Sequence, residues 1–208
     1  MTKDHIVCII DDDEPIRESL RLLLYASGLS SCAYESADVF LADKNPPAFD
    51  CMLLDIRMPG TDGLELFKIL NRKHLPYPVI FITGHGDIPL AVSAIKLGAY
   101  DFLTKPFQEG EILEKVRSAI KYYQSSRQQL LELHELQSRL DTCTPREQDV
   151  LRLLAKGLPN KGIAETLGIS PRTVEIHRAH VMVKMSADSL PALVRMITTL
   201  EPGKLEPG

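Results

Sequence analysis

Three acids in a row, Asp11, Asp12 and Asp13, follow the apolar run at 6–10. Asp55 follows the run at 51–54, Thr83 follows 79–82, and Lys105 with Pro106 follows 100–104. Short apolar runs that alternate with helical patterns read as buried parallel strands, and the carboxyl ends of such strands form one edge where ligands bind. The acids, the hydroxyl and the lysine are therefore expected to meet at one point. Carboxylates in a small space repel unless one is protonated or a cation lies between them, and a nearby lysine offers charge to a further anion. The set reads as a site for Mg²⁺ and a phosphoryl group. A lone Asp after a strand is ordinarily a helix cap or turn residue; the combination is what points to chemistry. Asp13 and Glu14 are expected to cap and charge the first helix. Pro106 is a place for a cis bond, and His85 reads as a solvated loop residue.

The elements that must position these groups follow from periodicity. Strand-like runs fall at 6–10, 31–34, 51–54, 79–82 and 100–103. Between them Ile16, Leu20, Leu23 and Leu24 recur at helical spacing, as do Leu64, Phe67 and Leu70, then Leu90, Ala94, Ile95 and Leu97, then Ile112, Val116 and Ile120. The expectation is an α/β fold: a doubly wound, five-stranded parallel sheet of flavodoxin-like form over residues 1–121. Residues 122–140 hold no Gly or Pro and space Leu130, Leu133, Leu136 and Leu140 along one stripe. They read as a helical linker, either solvated or forming a short coiled-coil seam.

From Thr144 the pattern is all-α. Thr144, Pro145 and Glu147 give a cap, a first-turn proline and a capping-box partner, and Val150, Leu151 and Leu154 form an inner face. A second helix is expected over 160–167, a third from Ser170-Pro171 to about Met185, and a fourth around Leu193 and Ile197. The short turn between the second and third makes a helix-turn-helix. Residues 141–208 thus read as a small four-helix domain.

Charge and cysteine content narrow the function classes. The chain carries 24 basic and 28 acidic residues, a net charge of −4, which argues against a generic nucleic-acid binder. The acidic excess belongs to residues 1–121, with 13 basic against 18 acidic residues. Cys8, Cys32, Cys51 and Cys143 have no CxxC spacing and read as reduced residues of a cytoplasmic protein. No apolar run approaches the ~20 residues needed to cross a bilayer, and no membrane partner is expected.

The motifs IleIleAspAspAsp, LeuLeuAspIleArgMetPro, PheIleThrGly and PheLeuThrLysProPhe resemble the receiver domain of two-component response regulators over residues 4–121. That resemblance implies that Asp55 accepts a phosphoryl group from a sensor histidine kinase as an acyl phosphate. It implies Mg²⁺ on Asp11, Asp12 and Asp55, with the backbone carbonyl of Arg57 as a further ligand. Lys105 would neutralise a phosphoryl oxygen, Thr83 would donate its hydroxyl to another, and Phe102 would swing inward behind Thr83. The only chemistry implied is kinase-assisted self-phosphorylation and slow autodephosphorylation, so no enzyme in the usual sense. A rival reading is a haloacid-dehalogenase-like phosphatase, whose Asp-x-Asp start Asp11 and Asp13 mimic. Pro15 departs from that pattern, and the remaining length supplies no cap domain.

Residues 141–200 resemble the LuxR-type helix-turn-helix, through ThrProArgGluGlnAspValLeu and IleSerProArgThrValGluIleHis. With the receiver in front, the chain resembles the FixJ/NarL class of DNA-binding transcription regulators, closest to its nitrogen-fixation branch. With Val174 inward, the outward arc of the third helix holds Arg172, Glu175, Ile176, Ala179, His180 and Val183. The resemblance puts base reading on Glu175, Ile176 and Ala179, where Glu can accept from cytosine N4 and the apolar groups can touch thymine methyls. Phosphate anchoring on double-stranded DNA falls to Lys161, Arg172, Thr173, Arg178 and Lys184. Promoter half-sites imply a homodimer on phosphorylation, with the DNA-binding domain released from the receiver and RNA polymerase a further candidate partner. The alternative for the second domain is a protein-docking helical module.

Overall fold

In the computed structural model, described for residues 5–73, 77–84 and 88–201, the chain divides into two compact units, Met1–Ser126 and Arg127–Gly208. The His85 reading lies outside the described residues. Among the described residues, no helix is long and apolar enough to cross a membrane.

The first unit is built on a five-stranded parallel sheet of order β2-β1-β3-β4-β5. The strands are β1 Ile6–Ile10, β2 Ser30–Tyr34, β3 Cys51–Asp55, β4 Val79–Thr83 and β5 Asp101–Thr104. The helices between them are α1 Glu14–Ala26, α2 Ala37–Ala42, α3 Gly63–Arg72 and α4 Ile88–Lys96, and α5 Glu109–Asp141 follows the last strand. The inner strands β3 and β4 are buried along their whole length, as strands covered on both faces must be. Alternate residues feed two cores. Cys8, Ile10, Met52, Leu54 and Phe81 enter one, and Val7, Ile9, Leu53, Ile80 and Ile82 enter the other. Each fully buried side chain of this size contributes roughly 1.5–3 kcal/mol.

The strands lie where the apolar runs predict, within one residue at each end. Helix α2 is a finding of the structure: its six residues are too few for the periodicity to mark, and the cap on Ser36, whose hydroxyl accepts from Val39 N, starts it. Helix α4 buries only part of the expected face: of Leu90, Ala94, Ile95 and Leu97, Ala94 alone is buried. Ala91 and Ala94 lie against the sheet, whereas Leu90, Val92, Ile95 and Leu97 are 36–46% exposed. Small residues let this helix sit close, so the large ones are left outside.

In the second unit α5 ends at Asp141 and is followed by α6 Pro145–Ala155, α7 Asn160–Leu167, α8 Pro171–Lys184 and α9 Leu190–Leu200. The linker stretch 122–140 lies wholly within α5. Thr144 and Glu147 form the predicted capping box on α6. Gly168, at φ 64°, ends α7 in the left-handed region that favours glycine, and Ser170 caps α8 two residues later. Val150, Leu151, Ile163, Val174, Val181 and Ile197 close a single core.

Candidate functional site

Strand ends bring the acids together. Asp11, the residue after β1, is fully buried, and Asp55, the last residue of β3, is 7% exposed. Asp12 is exposed, and one carboxylate oxygen from each of the three lies within 4.8 Å of the others. Lys105, just beyond β5, donates its ammonium to Asp11 Oδ2 at 2.9 Å and to Asp55 Oδ2 at 3.0 Å. Burial, then the neighbouring Asp11 charge, push the Asp55 carboxyl up from its ordinary value, against the pull of Lys105 and of the Arg57 backbone N–H. Burial alone would draw the Lys105 ammonium down; its bonds to Asp11 and Asp55 outweigh that, and the net shift is upward. One lysine thus faces a surplus of negative charge.

Supporting contacts fix this geometry. The Asp13 backbone N–H donates to Asp11 Oδ1 at 2.9 Å, and Arg17 Nη1 holds the Asp11 carbonyl at 2.7 Å. Asp13 also caps α1, as expected, accepting from Ile16 N. The Lys105-Pro106 bond is cis. Thr83 is fully buried and its hydroxyl donates to the Gly84 carbonyl at 2.8 Å, so in this state it is not turned to Asp55. Phe102 is half-buried and packs on the core that also holds Phe81. Gly63 opens α3 where a Cβ would overlap the Asp55 carbonyl, so only glycine admits this approach. The motif spacing alone does not show that need, nor the Arg17 contact, because both depend on how β1, β3 and the helices approach.

On α8 the structure exposes Arg172, Glu175, Ile176, Ala179, His180 and Val183, the arc predicted from the sequence. Lys161 is exposed at the start of α7, Arg178 is half-buried, and the Thr173 hydroxyl is shared with Ser170 at 2.8 Å. Lys184 is placed differently from its expected role as a phosphate anchor. Its ammonium donates to Glu147 Oε2 at 2.6 Å and to the Thr142 carbonyl at 3.1 Å, which ties the end of α8 to the start of α6. His180 Nδ1 lies 3.3 Å from Glu147 Oε1, and the Thr144 backbone N–H donates to Oε2 at 2.8 Å. The hydrogen bond from Lys184 leads in holding the buried Glu147 carboxyl down at about 2. A Glu and a Lys 37 positions apart carry no local signal of pairing.

An acid pocket at the end of a parallel α/β sheet, followed in the chain by a helix-turn-helix, defines a transcription regulator controlled through a receiver domain. Residues 7–117 match the response regulator receiver domain, and residues 141–197 match the bacterial regulatory proteins of the luxR family. The chain belongs to the response regulators that join these two domains. It is 50% identical over 190 residues to the transcriptional regulatory protein FixJ of Azorhizobium caulinodans, covering 91% of this chain and 90% of that one. It is 44% identical to FixJ of Rhizobium meliloti, covering 93% and 95%. Among solved structures, the response regulator StyR matches at TM-score 0.83 and 39% identity, covering 94% and 98%. Full-length FixJ from B. japonicum matches at TM-score 0.62 and 41% identity, covering 96% and 98%. Membership in this family implies a histidine kinase partner and DNA as the target. It sets aside the phosphatase and docking-module readings.

Proposed function

We propose that Asp55 is the phosphoryl acceptor and that its phosphorylation controls DNA binding by α8. The observation that carries this reading is the acid pocket itself: Asp55 lies with Asp11 and Asp12 at the sheet edge, and one lysine is shared between two of the carboxylates. Asp55 would attack through its carboxylate to form an acyl phosphate. Lys105 would exchange a carboxylate for a phosphoryl oxygen without leaving the pocket. Three carboxylates against one ammonium fit a small hard cation. Mg²⁺, held by Asp11, Asp12, Asp55 and the Arg57 carbonyl, would supply charge neutralisation to the incoming phosphoryl oxygens.

Thr83 would turn its hydroxyl from the Gly84 carbonyl to the phosphoryl group, and Phe102 would rotate into the space released. The response is a receiver-mediated dimer together with release of the DNA-binding domain. The pairing surface is the face around Ser93, Lys96, Tyr100 and Asp101, on α4 and at the start of β5, while Ala91 on the same helix is buried in the core. On DNA, Glu175, Ile176 and Ala179 would read bases, while Lys161, Arg172, Thr173 and Arg178 hold phosphates. Lys184 serves inside the domain.

The test is intact-mass measurement after incubation with Mg²⁺ and acetyl phosphate. One phosphoryl group is expected on the native chain and none on Asp55→Asn, because an amide is a poor nucleophile. Undiminished labelling of Asp55→Asn would overturn the assignment.

A further inference from the structure

We infer that Cys8 and Cys32 form a peroxide-responsive dithiol that closes reversibly to a disulfide between β1 and β2. The two residues are direct partners in the parallel register of these strands. Neighbouring strands lie about 4.7–4.9 Å apart, inside the Cα separation of about 4.4–6.8 Å that a disulfide spans. In-register parallel partners project to the same face, and both side chains enter the core that holds Ile10 and Phe40. Cys51 is also fully buried beside β1, but it pairs with Val7 and faces the opposite core, so it cannot substitute for either. Cys143 belongs to the second unit.

The two thiols are unequal. Cys8 is fully buried on an inner strand, whereas Cys32 is half-buried on an edge strand and is open to a small oxidant. The hydrogen bond between them draws the Cys32 thiol down from its ordinary value and, with burial, pushes the Cys8 thiol up. Cys32 is therefore the attacking group and Cys8 the resolving one.

The chemistry balances with a hydroperoxide as oxidant. The Cys32 sulfur attacks one peroxide oxygen, the O–O bond breaks, and the departing oxygen leaves as water when hydrogen peroxide is used. Cys32 becomes a sulfenic acid. The Cys8 sulfur then attacks the Cys32 sulfur, the S–O bond breaks, and the Cys8 proton leaves with hydroxide as a second water. Two thiols are oxidised by two electrons and one peroxide is reduced. A small-molecule dithiol reverses the step by exchange.

The experiment treats the full chain with hydrogen peroxide, alkylates remaining thiols under denaturing conditions, and maps the digest by mass spectrometry. A pair of peptides joined through Cys8 and Cys32, lost again on treatment with dithiothreitol, is the expected product. Cys51→Ser should keep the cross-link. Cys32→Ser should abolish it and leave Cys8 fully alkylated, with Cys32→Ala as the second variant should the hydroxyl disturb the strand. Full alkylation of Cys8 after peroxide in the native chain would overturn the inference. So would a Cys8–Cys51 link, or Cys32 carried on to sulfinic acid while Cys8 stays free.

Discussion

Lys105 divides one ammonium between Asp11 and Asp55, and the division is incomplete: the Asp55 carboxyl remains drawn up by burial and by Asp11. A carboxyl raised on folding binds its proton more tightly in the folded state. It therefore removes stability as pH rises from its unfolded value of 3.8 through its folded value. In chelator at neutral pH, Asp55→Asn should unfold at higher urea than the native chain. The advantage should fade as pH falls toward 3.8 and be gone well below it, where both states are protonated, and an equal advantage at neutral and at low pH would contradict this account. At this scale much was legible in the sequence. Asp11, Asp12, Asp55, Thr83 and Lys105 each lie at the end of an apolar run, and parallel strands place such ends side by side. Gly63 was not legible, because its requirement arises from the approach of α3 to the Asp55 carbonyl.

Helix α8 shows what a wheel drawn from sequence can and cannot supply. The outward arc was correct because a helix fixes the angle of each residue. The partner of Lys184 was missed because a wheel has no neighbours, and Glu147 arrives from α6. Lys161→Ala and Arg172→Ala should each weaken binding to all DNA sequences and lower the salt slope by about one, whereas Lys184→Ala should leave the slope unchanged and lower domain stability. DNA titrations at several salt concentrations, beside urea unfolding, separate these outcomes. The same clamp has a pH signature. Glu147 is held at about 2, below its ordinary 4.5, so its stabilisation is present above pH 4.5 and is lost as pH falls toward 2. Hydrogen bonds to a charged group are worth about 1.5–3 kcal/mol, and the partners Lys184 and His180 can turn to water. Glu147→Ala should show a loss of that order in neutral urea unfolding, shrinking as pH falls through the window. Helix α4 was legible as a helix but not as to its face, since alanine and leucine count alike as apolar and only packing distance separates them.

For the whole molecule, the proposed switch must account for its own size. Couplings between sites are typically worth ~1–3 kcal/mol, while near-complete switching needs ~5.5 kcal/mol. Pairing of two chains on a two-fold-related site supplies the remainder by avidity. Sedimentation velocity should therefore show a monomer before phosphorylation and a dimer after it, and an unchanged mass would remove dimerisation from the scheme. The sequence places the change of pattern where strands give way to helices. It could not fix the boundary to a residue, because α5 runs unbroken through the stretch and carries no Gly or Pro to mark one.

The alanine-lined packing of α4 also bears on handling. Leu90, Val92 and Ile95, with Leu97 just past the helix end, stay partly in water on either flank of the buried Ala91 and Ala94. Exposed apolar side chains on a lone chain limit its solubility, and ions that are excluded from protein surfaces, such as sulfate and phosphate, strengthen the drive to cover them. Concentrated stocks in such salts would self-associate with no phosphoryl group present, a colloidal mimic of the signal, and dilute chloride buffers are the medium in which the resting chain shows its own behaviour.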